Sequence, residues 1–118
     1  MPEQKIQIAV TILPALLIRV DRHWLKVFYS DIILLEASNQ YVKIFTTASP
    51  HAIMMKGMIG QVEQQLPANY FCRVHRSYIV GVQHIKYVCH DLINMGSKEV
   101  PLSKGYVPQL NSRFIMLT

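Results

Sequence analysis

The segment Phe71-Cys72-Arg73-Val74-His75-Arg76-Ser77-Tyr78-Ile79-Val80 constrains this chain more than any other. Read as an extended strand, it alternates: Phe71, Arg73 and His75 face one way, Cys72, Val74 and Arg76 the other. At Tyr78 an apolar run begins. A row of cationic and hydrogen-bonding side chains therefore abuts a segment that must enter a core. A purely structural strand has no need of Arg-x-His-Arg-Ser. A surface that grips anions does: Arg and Lys neutralise phosphates, Arg also forks onto guanine, and Ser or His donates to phosphate or a base edge. The competing reading is an edge strand whose solvated charges block aggregation. That reading suits Arg73. It suits Arg76 and Ser77 less well, because they fall at the break between two apolar runs, where a loop would present them.

Short strands dominate the rest of the chain. Ala15 to Val20 reads as a first strand, Asp21-Arg22-His23 as a polar turn, and Trp24 to Tyr29 as its hairpin partner. Ile32 to Glu36 and Tyr41 to Thr47 are strands around the polar loop Ser38-Asn39-Gln40, and His51 to Lys56 returns after a turn at Pro50. Met58, Ile59, Val62 and Leu66 recur at helical spacing until Pro67 stops the pattern. Their stripe reads as a core face. Ile85 to His90 and Asp91 to Met95 read as extended, and Lys98 to Leu102 as a hairpin partner across Gly96-Ser97. Val107, Leu110, Phe114 and Leu117 predict a C-terminal helix with Pro108 in its first turn. The expected fold class is mainly β with two short helices.

With 118 residues the chain is long enough for one domain and one core. Residues 1–14 read as a tail or linker remnant and 15–118 as the domain. Twelve Lys and Arg against seven Asp and Glu leave a net charge of +5, which favours a polyanion partner, nucleic acid before anionic membrane. Ile8 to Ile18 is interrupted by Pro14 and is short of the roughly twenty residues a membrane span requires. The start, MPEQKIQ, lacks the pattern of a signal peptide, so a cytoplasmic protein is expected. Cys72 and Cys89 are too few for a disulfide framework, and both lie in apolar runs, where buried reduced thiols are the default. The seven carboxylates are scattered and there is no Gly-rich phosphate loop, so no enzyme and no cofactor is expected. Cys72-x-x-His75, Cys89-His90 and His84 offer zinc-type ligands, but alternation sends Cys72 and His75 to opposite faces, so no metal site is expected.

Three blocks, in order, resemble one known family. FCRVHRSYIV is similar to the F-x-R-x-H-R-S-Y-I-V-N signature of LytTR-type bacterial DNA-binding domains. Asp31-Ile32-Ile33-Leu34-Leu35-Glu36-Ala37 with Tyr41-Val42-Lys43-Ile44 resembles the family's D-I-x-x-I-E-A and Y-V-x-I block. Val100-Pro101-Leu102-Ser103-Lys104, with Tyr106, resembles its P-V-S-R-x-Y block. The resemblance implies an elongated set of small antiparallel sheets. It implies sequence-specific binding of double-stranded DNA by loops inserted into the major groove, as the output module of a bacterial transcriptional regulator, with homodimers on paired sites. A receiver domain or sensor partner would then lie outside this chain, which is either an excised domain or a standalone regulator. Candidate base contacts are Arg76, Lys104, Asn39, Gln40 and His75. Candidate phosphate contacts are Arg73, Ser77, Ser103, Lys43, Lys56 and Lys86. Lys104 stands where the family carries an Arg, so a planar fork is exchanged for a point charge. Asn39 either contacts adenine or shapes a turn. His75 is either a structural hydrogen-bonder or a base contact. Gly81 departs from the family's Asn, losing an amide and gaining backbone freedom. The alternatives are a protein-interaction module on the same scaffold and a zinc-dependent protein.

Overall fold

Short apolar strands separated by polar turns organise the first half of the chain into hairpins. The computed structural model describes residues 13–118, so all of the expected tail except Leu13 and Pro14 lies outside the described residues. Strands β1 (Ala15–Val20) and β2 (His23–Phe28) pair antiparallel around a tip at Asp21, whose φ of 53° lies in the left-handed region that Asp tolerates better than most residues. A 3₁₀ turn (Tyr29–Asp31) leads to β3 (Ile32–Ser38), β4 (Tyr41–Thr46), β5 (Ile53–Lys56) and helix α1 (Ile59–Gln65). Strands β6 (Phe71–His75) and β7 (Tyr78–Gly81) follow, then a 3₁₀ turn (Val82–His84), the short strands β8 (Tyr87–Val88), β9 (Leu92–Asn94) and β10 (Glu99–Pro101), a 3₁₀ turn (Lys104–Tyr106) and helix α2 (Val107–Asn111).

The strands form three sheets: β1-β2, β10-β9-β8, and a five-stranded sheet in the order β5-β4-β3-β7-β6. Every pairing is antiparallel. The described chain is mainly β, with two short helices, and measures 45 × 38 × 24 Å. The five-stranded sheet is the middle layer. On one face Ile32, Leu35, Val42, Ile44, Phe71 and Ile79 pack with Ile18 of β1 and Ile59 of α1. On the other, Leu34, Cys72, Val74 and Val80 pack with Ile93, Val100, Leu102 and Leu110. Each such side chain contributes about 1.5–3 kcal/mol by leaving water. Strands β6 and β7 are thus covered on both faces, by Phe71 and Ile79 on one and by Cys72, Val74 and Val80 on the other. Among the described residues no helix is long and apolar enough to cross a membrane.

Three sequence expectations are corrected. The C-terminal helix ends at Asn111, and Phe114 and Leu117 are exposed. The Ser112 hydroxyl (2.7 Å) and the Arg113 guanidinium (3.0 Å) both donate to the Gln109 carbonyl, taking an acceptor that another helical turn would need. Within 85–90, only Tyr87 and Val88 pair as strand. Cys89 is exposed, because it lies on the β8–β9 turn, whereas Cys72 is buried. Burial pushes the Cys72 thiol up from its ordinary pKa, outweighing the neighbouring Arg113 charge and a Gln109 hydrogen bond. One thiol per chain, Cys89, is expected to react promptly with an excess of an aromatic disulfide under native conditions. The second should react only on unfolding. Two fast equivalents would contradict the buried placement of Cys72.

Candidate nucleic-acid interface

Two hairpin turns open at the same end of the five-stranded sheet. Ser38 pairs with Tyr41, so Asn39 and Gln40 form a two-residue turn between β3 and β4. Asn39 has φ 57°, the left-handed conformation that favours Asn in tight turns. His75 pairs with Tyr78, so Arg76 and Ser77 form the turn between β6 and β7. The central pairing of β3 with β7 places these turns side by side: Glu36 lies opposite Tyr78, and the Ala37 amide donates to the Ser77 carbonyl at 2.8 Å. Lys56 ends β5 opposite Tyr41, and the next amide, Gly57, donates to the Gln40 carbonyl at 2.9 Å. A bulge lies between Arg73 and His75. The carbonyl of the intervening Val74 accepts from the Ser103 amide at 2.9 Å, which brings the Lys104–Tyr106 turn to the same end.

Asn39, Gln40, Lys56, Arg76 and Lys104 are exposed here, with Ser77, Ser103 and His75 half-buried among them. The His75 Nδ1 accepts from the Ser77 amide at 3.1 Å, and its ring tilts against Tyr78, 5.7 Å between centroids. With Nδ1 accepting, the neutral ring carries its proton on Nε2. Thus His75 shapes the turn while retaining a donor.

Arg73 has another occupation. Its side chain is only 12% exposed. Nε donates to the His75 carbonyl (2.8 Å), Nη2 to the Arg76 carbonyl (2.6 Å), and Nη1 to Glu63 Oε1 on α1 (2.6 Å). The guanidinium also lies 6.0 Å from the Tyr106 ring. A fork with these three acceptors is directed inward, unlike a side chain held out to a phosphate. Two lysines also stand apart. Lys43 lies within β4, opposite Glu36. Lys86 bonds through its amide to Asn94, at one end of β9, whereas Lys104 follows from the other end, where the Leu102 amide donates to Asp91.

Behind the turns, Glu36 Oε1 receives Lys98 (2.9 Å) and Oε2 receives the Tyr78 hydroxyl (3.1 Å). Burial alone would raise the Glu36 pKa, but these bonds and the charges of Lys98 and Lys43 outweigh it and hold it below the ordinary value. Burial, then the bond to Glu36, pushes Tyr78 up. Sequence reasoning passed over Glu63 and Glu36 as scattered carboxylates. It also missed the residues of α2 and of the turn after it that cover the open edge of β6: Gln109 donates to Arg73 O (3.4 Å), and Arg113 to Phe71 O (3.4 Å) and Ala68 O (2.9 Å). Among the described residues no three His, Cys, Asp or Glu side chains converge.

The model of one family, the LytTr DNA-binding domain, matches residues 22–115, which hold the Asn39-Gln40, Arg76-Ser77 and Lys104–Tyr106 turns. The chain belongs to that family. A solved LytTr DNA-binding domain from Bacillus cereus is 26% identical and superposes with a TM-score of 0.69, covering 85% of this chain and 95% of that one. The sensory transduction protein LytT of Enterococcus faecalis is 30% identical over 90 residues, 70% of this chain and 36% of the relative. LytT of Bacillus subtilis is 28% identical over 86 residues, 68% and 35% respectively. The chain thus spans about a third of the length of these curated relatives. The LytTr domain is a DNA-binding unit, and the end of the sheet that carries its signature Arg76-Ser77 also carries exposed Lys56 and Lys104.

Proposed function

We propose that this LytTr domain reads duplex DNA through the row of turns at one end of its five-stranded sheet. The observation that carries this is the convergence of Asn39-Gln40, Arg76-Ser77 and Ser103-Lys104, from three separate segments, with Lys56 beside them. Arg76 has the fork for guanine O6 and N7, and Asn39 and Gln40 have the paired donor and acceptor for adenine. Lys104 and Lys56 supply point charges to phosphates, and the Ser77 and Ser103 hydroxyls supply donors. Turns of two residues are narrow enough to enter a major groove about 12 Å wide. The module serves as the output of a response regulator, binding as a homodimer on paired sites and receiving its signal from a receiver or sensor outside this chain.

Binding is expected to weaken steeply with salt. Displacing counterions from about four to six phosphates gives a log–log slope of roughly −4 to −5. A titration of affinity for a random-sequence duplex against salt measures it. A slope near zero would remove the nucleic-acid reading and leave the alternative of a protein-interaction module.

A further inference from the structure

We propose that Arg73 and Glu63 form a strut that sets the pose of the reading turn, so that Glu63, remote in sequence and acidic, controls DNA specificity. The inference rests on the DNA-reading assignment above and deepens it.

The turn Arg76-Ser77 has one flank tied to the sheet, through the Ser77 carbonyl and the Ala37 amide. The other flank follows a bulge, where the pairing of β6 with β7 shifts register. A bulge relaxes the ladder and lets a strand end rotate. Arg73 supplies what the ladder omits there: two donors of one rigid plane hold the carbonyls of His75 and Arg76 (2.8 and 2.6 Å). The plane is itself fixed by Glu63, 2.6 Å from Nη1, on a helix that packs against the sheet through Ile59. Arg73 also faces Tyr106, the last residue of the 3₁₀ turn that begins at Lys104. One guanidinium thus references both the Arg76 turn and the Lys104 turn to α1. Lysine, with a single charged nitrogen, cannot hold three acceptors in one plane. Arg73 and Glu63 are positioning residues: they act on DNA through Arg76.

Electrostatics and positioning make opposite forecasts for Glu63→Ala. Deleting a carboxylate from a DNA-binding protein raises affinity for any duplex by charge alone. Loss of the strut instead weakens only the selected site. In the whole 118-residue chain, Glu63→Ala should lose about tenfold on a duplex selected from a random pool, the size of one charge-assisted hydrogen bond. Affinity for a scrambled duplex should be unchanged or slightly higher, with an unchanged salt slope. Glu63→Gln keeps an acceptor for Nη1 and should recover most of the loss. Arg73→Lys keeps the charge and should fail like Glu63→Ala. Amide hydrogen exchange at Arg76 and Ser77 should speed up in Glu63→Ala while that of β3 and β4 stays as in the parent.

Tighter binding to both duplexes with a slope steeper by about one would overturn the strut, since Arg73 would then have been freed to meet a phosphate. Unchanged exchange at Arg76 and Ser77 would overturn it too, and this measurement needs no DNA. Should the parent chain prefer no duplex sequence, the DNA-reading assignment falls by itself, and exchange still decides the strut.

Discussion

Replacing Gly81 with alanine, or with the asparagine typical of the family pattern, is expected to destabilise this domain by about 3 kcal/mol. The reason is space. A Cβ built on Gly81 would lie 2.3 Å from the Ile32 carbonyl oxygen and 3.2 Å from that of Ile33. Both atoms are backbone of the central strand β3, at a register shift between Ile32 and Leu34. Ile32 is fully buried, so that segment has nowhere to retreat. The Gly81 φ of −79° is open to any residue, so the backbone freedom expected at this position is not what the structure uses. For a chain of this length the loss corresponds to a fall in Tm on the order of 15 °C. Thermal unfolding of Gly81→Ala and Gly81→Asn measures it, and a melting point within two or three degrees of the parent would refute the close approach.

The second large effect is on recognition alone. Arg76→Ala is expected to cost about 1–3 kcal/mol on the selected duplex and far less on a scrambled one. Arg76 is exposed at a turn and its backbone carbonyl, not its side chain, receives the strut, so Tm should hold. Lys104→Ala should instead weaken both duplexes evenly and lower the salt slope by about one. Lys104→Arg restores a fork and should sharpen a guanine preference. Competition binding on the two duplexes separates these outcomes. Equal losses on both for Arg76→Ala would demote it to a phosphate contact and leave base reading to Asn39 or Gln40.

Much of this architecture was written in local pattern. Short apolar runs between polar breaks marked β1 to β4, and the polar Ser38-Asn39-Gln40 break marked the turn between β3 and β4, because turn chemistry is a property of adjacent residues. Arg76 was legible as a loop residue for the same reason. Arg73 was not. Its neighbours in sequence are those of a solvated edge strand, but its partner Glu63 lies ten residues away on a helix, and nothing local to either residue reports the pairing. Gly81 was legible as a departure and illegible in its cause, which is the carbonyl of a strand some fifty residues earlier. The C-terminal spacing misled because helical periodicity says nothing about competing side-chain bonds at Gln109. Cys89 misled because the six residues 85–90 were read as a strand when only two of them pair.

The strand order has a metric consequence. The Asn39-Gln40 turn bridges β4 and β3, and the Arg76-Ser77 turn bridges β7 and β6, with β3 and β7 adjacent. The midpoints of the two turns are therefore two strand spacings apart, about 9.5 Å. Laid along a duplex with a rise of 3.4 Å per step, that pitch is close to three base pairs. The sheet acts as a ruler whose graduations are hydrogen-bond spacings. Under the proposed reading, changes of side chain at positions 39, 40 or 76 would alter which bases are preferred, while the interval between them stays fixed by the backbone.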